Sequence, residues 1–133
     1  MVAASSIRVM VVEDFQPFRR FVCLKLEQRP ELRVTCEVSD GLEAVQKAHE
    51  LKPDLILLDI CLPTLNGIEA ARRILAIAPE SKIIFSSAET SAAIVQAAMK
   101  VGAWGYVFKT QAGVDLLLAI DSVLSGMRFI SSA

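Results

Sequence analysis

A chain of 133 residues fits one domain with a buried core, and a formal net charge of -1 without a basic stripe gives it little means to grip a polyphosphate backbone. Its hydrophobic fraction of 53% and mean hydropathy of +0.48 are high for a soluble protein, which suits a sheet covered on both faces. No run approaches the roughly 20 apolar residues that cross a bilayer, and MVAASSIRV lacks the features of a signal peptide.

In chain order, residues 7–12 (IRVMVV) read as a buried strand closed by the acidic pair Glu13 and Asp14. A helix is expected over 15–29, with Phe18, Phe21, Val22 and Leu26 at helical spacing and Pro30 as its stop. Residues 32–38 read as a strand nearer the sheet edge. Asp40 looks like an N-cap, with Glu43 completing a box-like start, and the helix runs to about residue 51 with Leu42, Val45 and Ala48 on its inner side. After Pro53 comes a buried strand over 55–58, closed by Asp59. The segment CLPTLNG is a loop, with Pro63 and Asn66-Gly67 as turn formers. A helix over 68–77, a strand over 82–86 and an alanine-rich helix over 92–101 follow. The last pair is a strand over 104–108 and an amphipathic helix over 114–124, closed by Gly126. Five strands alternating with five helices predict an open α/β sheet with right-handed crossovers. The tail GMRFISSA falls outside this alternation.

Cys23, Cys36 and Cys61 are scattered, without a CxxC pair, and His49 is the one histidine, which is too little for a zinc site. Reduced, mostly buried thiols in a cytoplasmic protein are the expectation.

Ligands of open α/β sheets bind at the carboxyl ends of the strands, where the strand order reverses. With the order 2-1-3-4-5, Glu13 and Asp14, Asp59, Ser86 and Ser87, and Phe108 and Lys109 converge on one crevice. Each has a plainer reading alone: helix-start charge, a turn residue, a loop hydroxyl, a solvated lysine. Together they suit a chemistry. Mg²⁺ takes oxygen ligands and keeps several waters, so two or three carboxylates and a backbone carbonyl suffice. The metal offsets repulsion between clustered acids and a phosphoryl dianion. Asp59 is then the nucleophile toward phosphorus, Lys109 neutralises one phosphoryl oxygen, and the Ser87 hydroxyl donates to another.

The pieces VVED, LLDICLPTLNG, SSA and GYVFK, in that order, make the chain resemble a response-regulator receiver domain of two-component signalling. The resemblance implies a flavodoxin-like open sandwich, a five-stranded parallel sheet in order 2-1-3-4-5 with five helices. It implies a receiver domain over 5–127 and a tail over 128–133, either the end of a free-standing receiver or the start of a linker. Residue by residue, Asp59 resembles the phospho-acceptor, Asp14 the carboxylate that touches Mg²⁺ directly, and Glu13 its neighbour acting through water. The Cys61 backbone carbonyl resembles the third protein ligand to the metal. Ser87 resembles the switch hydroxyl, Lys109 the phosphate-binding lysine, and Tyr106 the aromatic switch whose ring rotates inward when Ser87 moves.

Three residues depart from the common pattern: Glu13 for aspartate, Ser87 for threonine, and Thr110 for the proline after the lysine. The last, with AIDSVLSGMRFIS, is similar to the subfamily that carries a C-terminal helix-turn-helix output domain, such as the nitrate-response regulators. The implied function is a switch that takes a phosphoryl group from a sensor histidine kinase and helps catalyse its own phosphorylation and hydrolysis. Expected partners are that kinase and a second copy in a homodimer, with no membrane, and with DNA only through an output domain absent from this chain. A pseudo-receiver acting purely as an interaction module is the alternative, opposed by the intact Asp14, Asp59, Ser87 and Lys109. A phosphatase-like hydrolase is opposed by short loops that offer no cap over a substrate. Cys61 is expected to be a small residue at the pocket rim and Trp104 to serve the core or a partner face. Glu89 and Cys61 are expected to flank the path of a hydrolytic water.

Overall fold

Strands buried on both faces need near-continuous apolar side chains, and the central strands of this sheet have them. The computed structural model describes residues 6–132; the expected domain start at residue 5, most of the segment weighed as a signal peptide, and the last tail residue lie outside the described residues. The strands are β1 (Ile7–Val12), β2 (Leu32–Val38), β3 (Leu55–Leu58), β4 (Lys82–Ser87), β5 (Gly105–Phe108) and β6 (Phe129–Ile130). They pair in parallel throughout, in the order β2-β1-β3-β4-β5-β6. The order expected for five strands therefore holds, and the tail adds a sixth. Tail residues 129–130 close the free edge of β5, a two-residue pairing too short to show any periodicity in sequence.

The helices are α1 (Gln16–Leu26), α2 (Gly41–Leu51), α3 (Gly67–Ile77), α4 (Ala92–Lys100) and α5 (Ala112–Leu124). Alternate side chains of β1 serve two cores. Met10 and Val12 pack with Ala44, Ala48, Ala71, Ile74 and Ala98 of α2, α3 and α4; Val9 and Val11 pack with Val22, Leu26, Leu116 and Ile120 of α1 and α5. Among the described residues, no helix is long and apolar enough to cross a membrane.

Several local expectations are corrected. Leu42 is exposed, because the inner line of α2 runs through Gly41, Ala44 and Ala48, small residues that let α2 approach the loop before α3. Phe21 is also exposed, and its ring lies 5.6 Å from that of Phe18 while Val22 and Leu26 face the sheet. Helix α1 ends at Leu26 rather than at residue 29. Helix α5 starts two residues early, after a 3-10 turn over Lys109–Gln111, leaving Val114 in solvent. The thiols are less buried than expected: Cys61 is exposed and Cys23 and Cys36 are half-buried, since they sit on a loop, an outer helix and the edge strand. Asp40 caps α2, accepting from the Glu43 N–H at 2.7 Å, and Asn66 caps α3, accepting from the Glu69 N–H at 3.0 Å.

Gly67 opens α3 where the chain doubles back on the end of β3. Its N–H donates to Ile60 O at 2.7 Å, and a Cβ there would collide with the Asp59 carbonyl oxygen. Gly67→Ala should therefore cost about 1–3 kcal/mol, the usual range for forced overpacking. Gly113→Ala, whose Cβ would meet nothing within 4 Å on α5, should instead be neutral or stabilising by up to about 1 kcal/mol. Thermal unfolding of the two variants beside the parent checks both signs.

Candidate active site

The ends of β1 and β3 are neighbours, with Val12 opposite Leu58 and the Asp59 N–H donating to Val12 O at 3.0 Å. The two chains therefore deliver their next side chains to one place. Glu13 and Asp59 are buried, at 3% and 4% exposure, while Asp14 is exposed. One carboxylate oxygen from each of the three lies within 4.8 Å of the others.

Lys109 leaves β5 and reaches into this cluster. Its Nζ lies 2.8 Å from Glu13 Oε1 and 3.2 Å from Asp59 Oδ2, and sits 4.8 Å from the centre of the Phe18 ring. The remaining oxygens are partly engaged. Glu13 Oε2 accepts from the Phe15 N–H at 3.1 Å, and Asp59 Oδ1 accepts from the Cys61 N–H at a long 3.3 Å. Arg19 braces the turn, its Nη1 donating to Glu13 O at 2.7 Å.

Burial pushes the Glu13 carboxyl above its ordinary range, and the Asp59 charge adds to this against the opposing Lys109 and Phe15 contacts. Burial alone would lower the Lys109 ammonium, but Glu13 and Asp59 outweigh it and hold it raised. Burial and then the Asp59 charge also push the Cys61 thiol up, which keeps it protonated and unreactive.

Three carboxylates without a soft donor match the oxygen chemistry of Mg²⁺, and Glu13, Asp14 and Asp59 form a candidate Mg²⁺ site. Glu13 has both oxygens occupied by protein donors, whereas Asp14 faces solvent.

Ser87 and Tyr106 form a second set beside the first. Both are fully buried, and both hold Glu89: Ser87 Oγ accepts from the Glu89 N–H at 3.1 Å, and the Tyr106 hydroxyl donates to Glu89 O at 2.7 Å. The Tyr106 ring lies inside, packed against Phe85 and Phe108. The Glu89 side chain is exposed, and His49 is on the surface. Trp104 is half-buried beneath two cations, with Lys82 Nζ 4.4 Å from its ring centre and the Arg128 guanidinium 5.4 Å away. Sequence reasoning missed Phe18 under the lysine, the Phe15 N–H and the Arg19 brace. The helical spacing of Phe18 marked it for the core, and nothing marked the other two.

The doubly covered parallel sheet thus places an acidic cluster and a lysine at its switch point, where open α/β sheets bind ligands. The chain belongs to the response regulator receiver domain family, whose model matches residues 9–121. It is 42% identical over 111 residues to a protein-glutamate methylesterase/protein-glutamine glutaminase of Thermotoga maritima, covering 83% of this chain and 32% of that protein. It is 33% identical to the transcriptional regulatory protein DegU of Brevibacillus brevis, covering 95% and 53%. Among solved structures, a LuxR-family two-component response regulator from Aurantimonas sp. SI85-9A1 superposes with a TM-score of 0.90 at 33% identity, covering 96% of this chain and 91% of that one. The chain thus spans about a third to a half of the length of these two curated relatives.

Lys109→Met would leave the buried acids without their cation. We expect a loss of about 2–3 kcal/mol, below the full penalty for breaking a buried pair because the ammonium keeps some solvent. The Glu13 carboxyl, already raised, would rise further in the variant. Its folded state then holds a proton that the unfolded chain has released, so stability falls as pH rises from the unfolded value of 4.5 through the folded one. Urea unfolding at about pH 5 and about pH 8 should show the gap between parent and variant widening at the higher pH.

Proposed function

We propose that this domain is a phosphorylation-controlled switch that takes a phosphoryl group onto Asp59 from a sensor histidine kinase. One observation carries the reading: Asp59 is buried, lies 3.2 Å from a lysine ammonium, and has one oxygen held only by a long backbone contact. A carboxylate nucleophile needs such a lone pair and a nearby cation to take up the charge that arrives with the phosphoryl group. As the Asp59 O–P bond forms, the bond from phosphorus to the donor breaks; attack by water later returns the carboxylate and inorganic phosphate. Lys109 neutralises a phosphoryl oxygen and the Ser87 hydroxyl donates to another. Asp14, Asp59 and the Cys61 carbonyl would hold Mg²⁺ directly, with Glu13 through water. The ion supplies positive charge against the repulsion between the acids and the phosphoryl group. Tyr106 reads the change through its hydrogen bond to Glu89.

The receiver unit is proposed to run over 5–127, and the output to be a C-terminal helix-turn-helix domain of the nitrate-response type. Support comes from Thr110, from the sequence AIDSVLSGMRFIS, and from relatives named as a transcriptional regulator and a LuxR-family regulator. The kinase and the output place the protein in the cytoplasm.

Acetyl phosphate with Mg²⁺ should add one phosphoryl group to the intact mass, and Asp59→Asn should abolish the adduct. Asp14→Asn should weaken Mg²⁺ binding while leaving the fold intact, since it relieves repulsion. An adduct that persists on Asp59→Asn would sink the assignment.

Association is the second expectation. Helices α1 and α5 touch, and Phe15 before α1, Phe21, Leu24, Val114 and Leu118 are exposed apolar side chains available to a homodimer contact. Sedimentation should show weak dimerisation that phosphorylation strengthens, and Leu118→Glu should reduce it; a strict monomer in both states would rule that contact out.

A further inference from the structure

We infer that Ser131 is a positioning residue for Lys109, acting through the end of β5 and the first turn of α5. The inference rests on the role given to Lys109 and Asp59 above. Strand β5 is four residues long, and β6 covers its edge with two pairings, Gly105 with Phe129 and Tyr106 with Ile130. The Ser131 N–H extends this edge, donating to Tyr106 O at 2.8 Å. There the backbone ladder stops. The Phe108 N–H donates at 3.1 Å to Ser131 Oγ, and the same hydroxyl donates to Asp115 Oδ2 at 2.7 Å.

One buried hydroxyl, on a residue 5% exposed, thus uses its proton and a lone pair to join residues 108 and 115. The segment between them is the one that carries Lys109, in the 3-10 turn Lys109–Gln111. Among the described residues, Phe108 is the β5 position whose N–H is met by a side chain, and it is the residue immediately before the lysine. The ammonium must satisfy two carboxylates at 2.8 and 3.2 Å together, so a small displacement of its Cα weakens one contact or both. Removing the Ser131 hydroxyl leaves a buried N–H without an acceptor and frees the loop at both ends. The bonds also work in the other direction: movement of Lys109 toward a phosphoryl oxygen pulls on the tail through Phe108.

The test compares Ser131→Ala, Ser131→Thr and Asp115→Ala with the parent in three measurements. These are the rate of labelling by acetyl phosphate at saturating Mg²⁺, Mg²⁺ affinity by calorimetry, and hydrogen exchange of the Lys109 ammonium by NMR in unlabelled protein. Ser131→Ala should slow the maximal labelling rate by roughly five- to tenfold, the effect of a slightly misplaced group. It should speed exchange at Lys109 and keep Mg²⁺ affinity near that of the parent, because the acids are not displaced. Ser131→Thr, which keeps the hydroxyl, should restore both, and Asp115→Ala should give a smaller change in the same direction. Unchanged labelling and exchange in Ser131→Ala would overturn the proposal. So would a loss that threonine does not rescue, or a parallel fall in Mg²⁺ affinity, which would indicate general loosening. If Ser131→Ala fails to fold, Asp115→Ala and the threonine variant carry the comparison. If the parent itself takes no phosphoryl group, the reading of Asp59 fails, while exchange at Lys109 still decides the role of Ser131.

Discussion

Two buried carboxylates and a third at their rim stand within 4.8 Å of one another, and a single ammonium makes that tolerable. At an effective dielectric of about 20, two like charges at this separation repel by roughly 3 kcal/mol, a sizeable share of a small domain's net stability. Lys109 answers both buried acids directly, at 2.8 and 3.2 Å. The rest of the fold serves this contact. Lys109 comes from β5, two strands away from β3, so its side chain must cross the end of β4. That strand ends in Ser86 and Ser87, residues small enough to leave the path open. Glu13 and Asp59 are adjacent because β1 and β3 are paired in register to their last residues.

Much of this was legible in the sequence because burial on both faces leaves a one-dimensional trace. Apolar runs ending in acids gave β1 and β3 with correct ends, and the Asp40–Glu43 spacing gave the cap of α2. Helix faces were read less well. Leu42 and Phe21 are apolar side chains on outer faces, and an apolar letter does not say which of two neighbouring positions the packing will choose. At α2 a backbone approach that only Gly41 permits sets the phase. Strand β6 escaped because two residues cannot display a period, and it is held by β5 rather than by its own propensity.

At the site, the acids and the lysine were readable from strand ends, but their pairings were not. The longer arm of glutamate at position 13 reaches the Lys109 ammonium at 2.8 Å and the Phe15 N–H together, a pairing not legible in the sequence. Side-chain length decides this, and spacing carries no information about it. The contacts from Ser131 likewise join residues distant in sequence, and the Arg19 contact to nearby Glu13 has no motif around it.

The same geometry locates what can move. The Tyr106 ring is fully buried between Phe85 and Phe108, so a large swing would open a cavity in the core. Glu89 is different: it is exposed, it lies on the loop between β4 and α4, and its two backbone groups are held by Ser87 and Tyr106. If, as proposed, the Ser87 hydroxyl shifted toward a phosphoryl oxygen on Asp59, its contact with the Glu89 N–H would lengthen while the Tyr106 contact remained. Losing one part-buried contact of this kind costs about 1 kcal/mol, whereas emptying the site of an aromatic ring costs several times that. By these magnitudes, the start of the loop leading to α4 is where the proposed switch would meet the least resistance.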